Sequence, residues 1–167
     1  HFMRPTMFKK PILLTLIGLL LQPSVHAASV SPQAQETARY ALATYPEALI
    51  ASLAQMVSFN TVADPAVPFA DNRQHTGFKR YLAAEAQRLG FDFHDHGHVV
   101  IIGMGKGSER VGVITHGDVQ PVNPAKWARS PFELDRTSEP GKLLGRGTED
   151  DKGPIATALY AMKAIQD

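Results

Sequence analysis

Leu144-Gly145-Arg146-Gly147-Thr148-Glu149-Asp150-Asp151-Lys152-Gly153-Pro154 decides the reading of this chain, taken together with Thr115-His116-Gly117-Asp118 upstream of it. The first stretch is a glycine-rich turn carrying adjacent carboxylates, and apolar residues at helical spacing follow it. Glu149, Asp150 and Asp151 repel one another, and Lys152 offsets only part of that charge. A bound cation resolves the conflict better than solvent does. The alternative is helix chemistry, in which the two aspartates are an N-cap and a first-turn carboxylate favoured by the helix dipole, with Pro154 inside the first turn.

Working outward, Val111-Gly112-Val113-Ile114-Thr115 is apolar and β-branched and predicts a short buried strand. The side-chain period of two then puts His116 and Asp118 on one face at its end. A neutral imidazole is a good zinc ligand, and a carboxylate two residues on can accept the other ring N–H and so fix tautomer and orientation. Taken alone, His116 reads as an ordinary hydrogen-bonded histidine at a strand end. Asp150, with Gly145, Gly147 and Gly153 permitting close approach, has two oxygens that could bridge two cations, the arrangement used in two-metal hydrolysis.

Composition narrows the choices. The chain has 167 residues, 44% of them hydrophobic, and a formal net charge of +1, so it can bury one modest core and gives no case for nucleic acid. With no cysteine, disulfides and thiolate ligands are excluded, and a metal must be held by histidine and carboxylates.

From Arg110 to Gln166 the chain resembles the di-zinc exopeptidase and deacylase family of carnosinases, bacterial dipeptidases, aminoacylase, acetylornithine deacetylase and succinyl-diaminopimelate desuccinylase. The features that carry the resemblance are the strand into His116-Gly117-Asp118, then Val119, Pro121, Trp127, Pro131-Phe132, and Lys142 through Pro154. The resemblance implies that His116 binds one zinc, that Asp118 orients it as a catalytic residue, and that Asp150 bridges two Zn2+ ions. It gives no ligand role to Asp151 and implies a cis peptide bond between Asp150 and Asp151. The Asp-Asp-Lys-Gly-Pro form leans toward the dipeptidase and carnosinase-like branch, hence toward a small peptide substrate, with an N-acyl amino acid as the alternative. The general-base glutamate, further carboxylate ligands and a last histidine of the family would lie downstream, and any homodimer would form through a domain not present here. His1-Phe2 also precede Met3 and Met7. Residues 28–167 therefore read as the amino-terminal part of a catalytic domain, inactive by itself. A non-catalytic binding module is the reading from another class.

The fold class expected is α/β, a mixed central sheet flanked by helices with ligands at strand ends. Residues 7–27 read as a signal peptide: Lys9 and Lys10, an apolar run from Ile12 to Leu21 too short for a comfortable span, and Val25-His26-Ala27 before Ala28. Export to the periplasm or exterior follows, with no membrane span remaining after cleavage. Ser31-Pro32 opens a helix to Thr44 with Ala34, Ala38, Ala41 and Leu42 on its apolar side, and Pro46 starts a second with Leu49, Ile50, Leu53, Met56 and Val57 inward. A third helix runs from Gln74 to Leu89 and stops at Gly90, with His75 as a surface or near-cap residue. Phe91–His98 and Val99–Ile102 read as strands, the first with Asp92, His94 and His96 on a solvent face. Gly103–Ser108 lacks the spacing of a phosphate loop and reads as a turn. Trp127 and Phe132 read as packing a lid-like loop, Glu133–Asp135 as a short strand, and Ile155–Gln166 as a closing helix with Ile155, Leu159, Met162 and Ile165 inward.

Overall fold

Prolines and caps set the helix boundaries. The computed structural model describes residues 30–167, so the signal-peptide reading of residues 7–27 lies outside the described residues. Helix α1 spans Pro32–Thr44 and α2 spans Pro46–Val57, each with proline in its first turn, where a missing N–H costs nothing. Helix α3, Arg73–Leu89, begins where the Asn72 side chain accepts the N–H groups of Gln74 and His75, and it ends at Gly90, whose φ of 82° is the left-handed C-cap. Strands β1 (Asp92–Asp95) and β2 (Val100–Gly103) pair antiparallel, with Phe93 opposite Ile102 and Asp95 opposite Val100. Helix α4, Gly153–Gln166, closes the chain.

The core lies where α2, α3 and α4 meet: Leu53, Met56 and Val57 from α2, Phe78, Leu82, Ala86 and Leu89 from α3, Phe91 after it, and Ile155, Ala156, Leu159 and Tyr160 from α4. Each large apolar side chain so buried contributes roughly 1.5–3 kcal/mol. One polar knot runs through this core. Glu85 is buried, its carboxylate takes a two-pronged bond from Arg88 at 2.8 Å on each oxygen, and the Tyr160 hydroxyl lies 3.0 Å away. Arg88, against the opposing effect of burial, holds the Glu85 carboxyl below its ordinary value. Burial, then the Glu85 charge, pushes the Tyr160 phenol up to about 12.

The α/β class stands, and the sheet among the described residues is the two-stranded β1–β2 pair. Val111–Thr115 belongs to no strand there; Val111 and Ile114 are 99% and 98% exposed. β-Branched residues make a segment ready for a sheet, but a strand exists only against a neighbouring main chain. Glu133–Asp135 contributes a single bridge, Asp135 to Leu144, instead of a strand. Four expected inward residues face solvent, Ala34, Ala38 and Leu42 in α1 and Ile165 in α4, and α1 has no buried residue. Trp127 and Phe132 are both half-buried. Among the described residues no helix is long and apolar enough to cross a membrane.

Candidate metal centre

The turn Thr148–Lys152 joins the Asp135–Leu144 bridge to α4 and puts Asp150 on the surface. It opens at Gly147, whose φ of 83° is a conformation glycine adopts without penalty and whose carbonyl accepts the Lys152 N–H at 2.9 Å. Asp150 (φ −119°, ψ 90°) and Asp151 (φ −137°, ψ 19°) depart from helical geometry, and the peptide bond between them is cis. Neither aspartate caps α4, whose N-cap is Lys152. The turn's position is fixed from outside by Arg146, whose N–H donates to the Pro131 carbonyl at 2.6 Å and whose Nε donates to the Gln120 carbonyl at 2.9 Å.

The structure brings His116, Asp118 and Asp150 together. His116 Nε2 lies 2.9 Å from Asp150 Oδ1, and its Nδ1 lies 3.2 Å from both the main-chain carbonyl and Oδ1 of Asp118. All three side chains are open to solvent, between 48% and 64% exposed. The imidazole's pKa is pulled down by its partial removal from water, then raised more strongly by the bond to Asp150 and by the Asp118 carbonyl and carboxylate, so the net shift is upward.

The donor set suits a cation. A carboxylate only accepts, so an Nδ1–H given to Asp118 leaves the Nε2 lone pair facing an Asp150 oxygen. Two acceptors so close need a proton or a metal ion between them. One imidazole nitrogen and one carboxylate are ligands zinc takes, and they make up part of a four-ligand shell. Among the described residues no group of three or more histidine, cysteine or carboxylate side chains gathers to complete it.

Four further residues, Asp151, Thr61, His75 and Lys152, pack around this site. Asp151 Oδ2 accepts the main-chain N–H of His116 at 3.1 Å. Thr61, fully buried, donates its hydroxyl to the Gly117 carbonyl at 2.5 Å, and its own carbonyl accepts the Val119 N–H at 3.2 Å. His75 lies near the α3 cap as one of the two expected alternatives has it, and it is buried instead of at the surface because its Nε2 bonds to the Thr61 carbonyl at 3.1 Å and its ring stacks on Phe69 at 4.7 Å between centroids. Lys152 is fully buried, its Nζ donating to the Phe59 carbonyl at 2.7 Å and standing 5.2 Å from the centre of the Phe78 ring. Burial, and then the nearby Arg146 charge, lowers the lysine to about 8. At the middle of the strip, a Cβ on Gly117 would collide with the edge of the Phe78 ring.

Comparison with known proteins follows the same segments. The model for Peptidase family M20/M25/M40 matches residues 112–167. A protein of Staphylococcus aureus strain USA300, provisionally named a dipeptidase, is 34% identical over 127 residues, covering 74% of this chain and 26% of its own length. Its counterpart in strain MRSA252 matches equally. The chain thus spans about a quarter of the length of these relatives. Among solved structures, human carnosine dipeptidase 1 superposes with a TM-score of 0.62 at 22% identity, over 80% of this chain and 32% of that one. The Saccharomyces cerevisiae di-peptidase Dug1p gives 0.57 at 16% identity, over 78% and 31%. The fold is shared with both, and the segment carrying His116, Asp118 and Asp150 is the part of the chain that is similar to Peptidase family M20/M25/M40.

Proposed function

We propose that this chain carries part of the metal cradle of a zinc-dependent hydrolase acting on dipeptides or short peptides. The observation that carries the reading is the 2.9 Å approach of His116 Nε2 to Asp150 Oδ1 with Asp118 on the other ring nitrogen. In this proposal His116 and Asp150 offer nitrogen and oxygen ligands, and Asp118 holds the imidazole in the tautomer whose Nε2 is free to bind. Asp151 keeps the His116 main chain from turning away. Zinc supplies a water of lowered pKa and a polarised carbonyl when bound. The dipeptidase names of the relatives favour a peptide over an N-acyl amino acid. Export to the periplasm or exterior is part of the same proposal, resting on Lys9, Lys10 and the apolar run from Ile12 to Leu21.

The test is metal content and turnover in the gene product as encoded. His116→Ala and Asp150→Ala should each lower bound zinc and abolish hydrolysis across a panel of dipeptides. Parental zinc stoichiometry and turnover in either variant would overturn the reading, and hydrolysis of N-acyl amino acids alone would move it to the deacylases.

A further inference from the structure

We infer that Thr61, backed by His75, is a positioning residue for the metal centre: it holds the His116-Gly117-Asp118 strip at the place where His116 meets Asp150. The inference rests on the metal reading above and extends it to residues far away in sequence that touch neither carboxylate.

Thr61 is fully buried and bonded on both its side-chain and main-chain oxygens to the same strip. Its hydroxyl donates to the Gly117 carbonyl at 2.5 Å, and its carbonyl accepts the Val119 N–H at 3.2 Å. These bonds grip the main chain immediately after His116 and immediately after Asp118. His75 approaches the same carbonyl with Nε2 at 3.1 Å. A carbonyl only accepts, so Nε2 bears the proton, and Nδ1 is left buried with no hydrogen-bond partner. An unsatisfied buried nitrogen is a net cost, which the structure carries in order to have a donor at Thr61. The ring stacks on Phe69 at 4.7 Å between centroids, which holds its plane against the Thr61 carbonyl.

The opposite side of the strip is held independently. Asp151 accepts the His116 N–H, and the Phe78 ring lies so close to Gly117 that no Cβ fits. The strip is therefore clamped between the α2–α3 connection and the Thr148–Lys152 turn, with the imidazole free only to rotate about its own side chain. Val111–Ile114, just before it, has no such hold. Position at His116 thus comes from Thr61 and Asp151.

The experiment compares Thr61→Val with Thr61→Ser in the gene product as encoded, reading the zinc dissociation constant by chelator competition and the urea midpoint in parallel. Valine keeps shape and β-branching but loses the donor; serine keeps the donor. Thr61→Val should weaken zinc by about ten- to a hundredfold, the range for groups that orient a ligand. Thr61→Ser should bind zinc as the parent does. His75→Phe retains the stack on Phe69 and tests the same brace from behind, with a smaller weakening expected. A Thr61→Val protein of lowered midpoint but parental zinc affinity would overturn the inference, as would Thr61→Ser losing as much as Thr61→Val. His116→Ala in the same titration separates the two failures: if it too binds zinc normally, the metal reading itself is wrong.

Discussion

Gly147→Ala tests how tightly the turn is built. At φ +83° an alanine pays the left-handed penalty of about 1–2 kcal/mol. Its Cβ would also stand 2.7 Å from Val119 Cγ1 and 3.3 Å from the Lys152 side chain. Val119 is buried and its N–H is bonded to Thr61, so it cannot retreat, and overpacking of this kind adds roughly 1–3 kcal/mol. Gly97 is the internal control, because its φ is also +83° and a Cβ there meets nothing within 4 Å. Gly97→Ala should therefore show the backbone penalty alone, and Gly147→Ala should exceed it by the packing cost of about 1–3 kcal/mol. Urea unfolding monitored at Trp127 gives both values on one protein, with unchanged slopes establishing that only stability has moved. Equal losses for the two variants would refute the claim that Val119 and Lys152 are immovable around Gly147.

Asp135 lies at the root of the same turn, and the Ser138 hydroxyl first, then the N–H groups of Thr137 and Ser138, hold its carboxyl far below the usual range. A depressed carboxyl stabilises the fold fully above its unfolded value of about 3.9 and ceases to do so as the pH falls below that. Asp135→Asn should thus lower the urea midpoint at pH 6, with the gap to the parent closing toward pH 2; a gap independent of pH would sink the argument. Arg88→Met should destabilise by about 1–3 kcal/mol by stranding the buried Glu85 carboxylate, and the double variant Arg88→Met, Glu85→Gln should recover part of that loss in the same unfolding assay. Asp151→Asn preserves an acceptor for the His116 N–H and should retain zinc better than Asp151→Ala, measured by chelator competition.

Local chemistry was legible in the sequence, and long-range partners were not. Pro32, Pro46 and Gly90 marked helix ends because each acts on its own backbone. The structure brings together His116, Asp118 and Asp150, which the resemblance singled out in the sequence. Thr61 escaped notice because its bond to Gly117 joins residues 56 apart, and a threonine after Phe59-Asn60 looks like any loop residue. The burial of His75 was not legible because an imidazole in a first helical turn is indifferent to solvent until a carbonyl and an aromatic ring close over it. Val111–Thr115 misled for the opposite reason: its side chains state a preference for a sheet, and the preference requires a neighbour to be realised.

The burial of Lys152 makes this protein its own reporter of opening. Its amine has no solvent exposure and is capped by the Phe59 carbonyl, whereas the Lys142 side chain is 64% exposed. An amine-reactive reagent marks Lys142 in the folded state, and reaches Lys152 only when the Phe59 connection lifts away from the turn. Successive time points in a mass spectrum would then clock how often this joint breathes, without a probe being introduced.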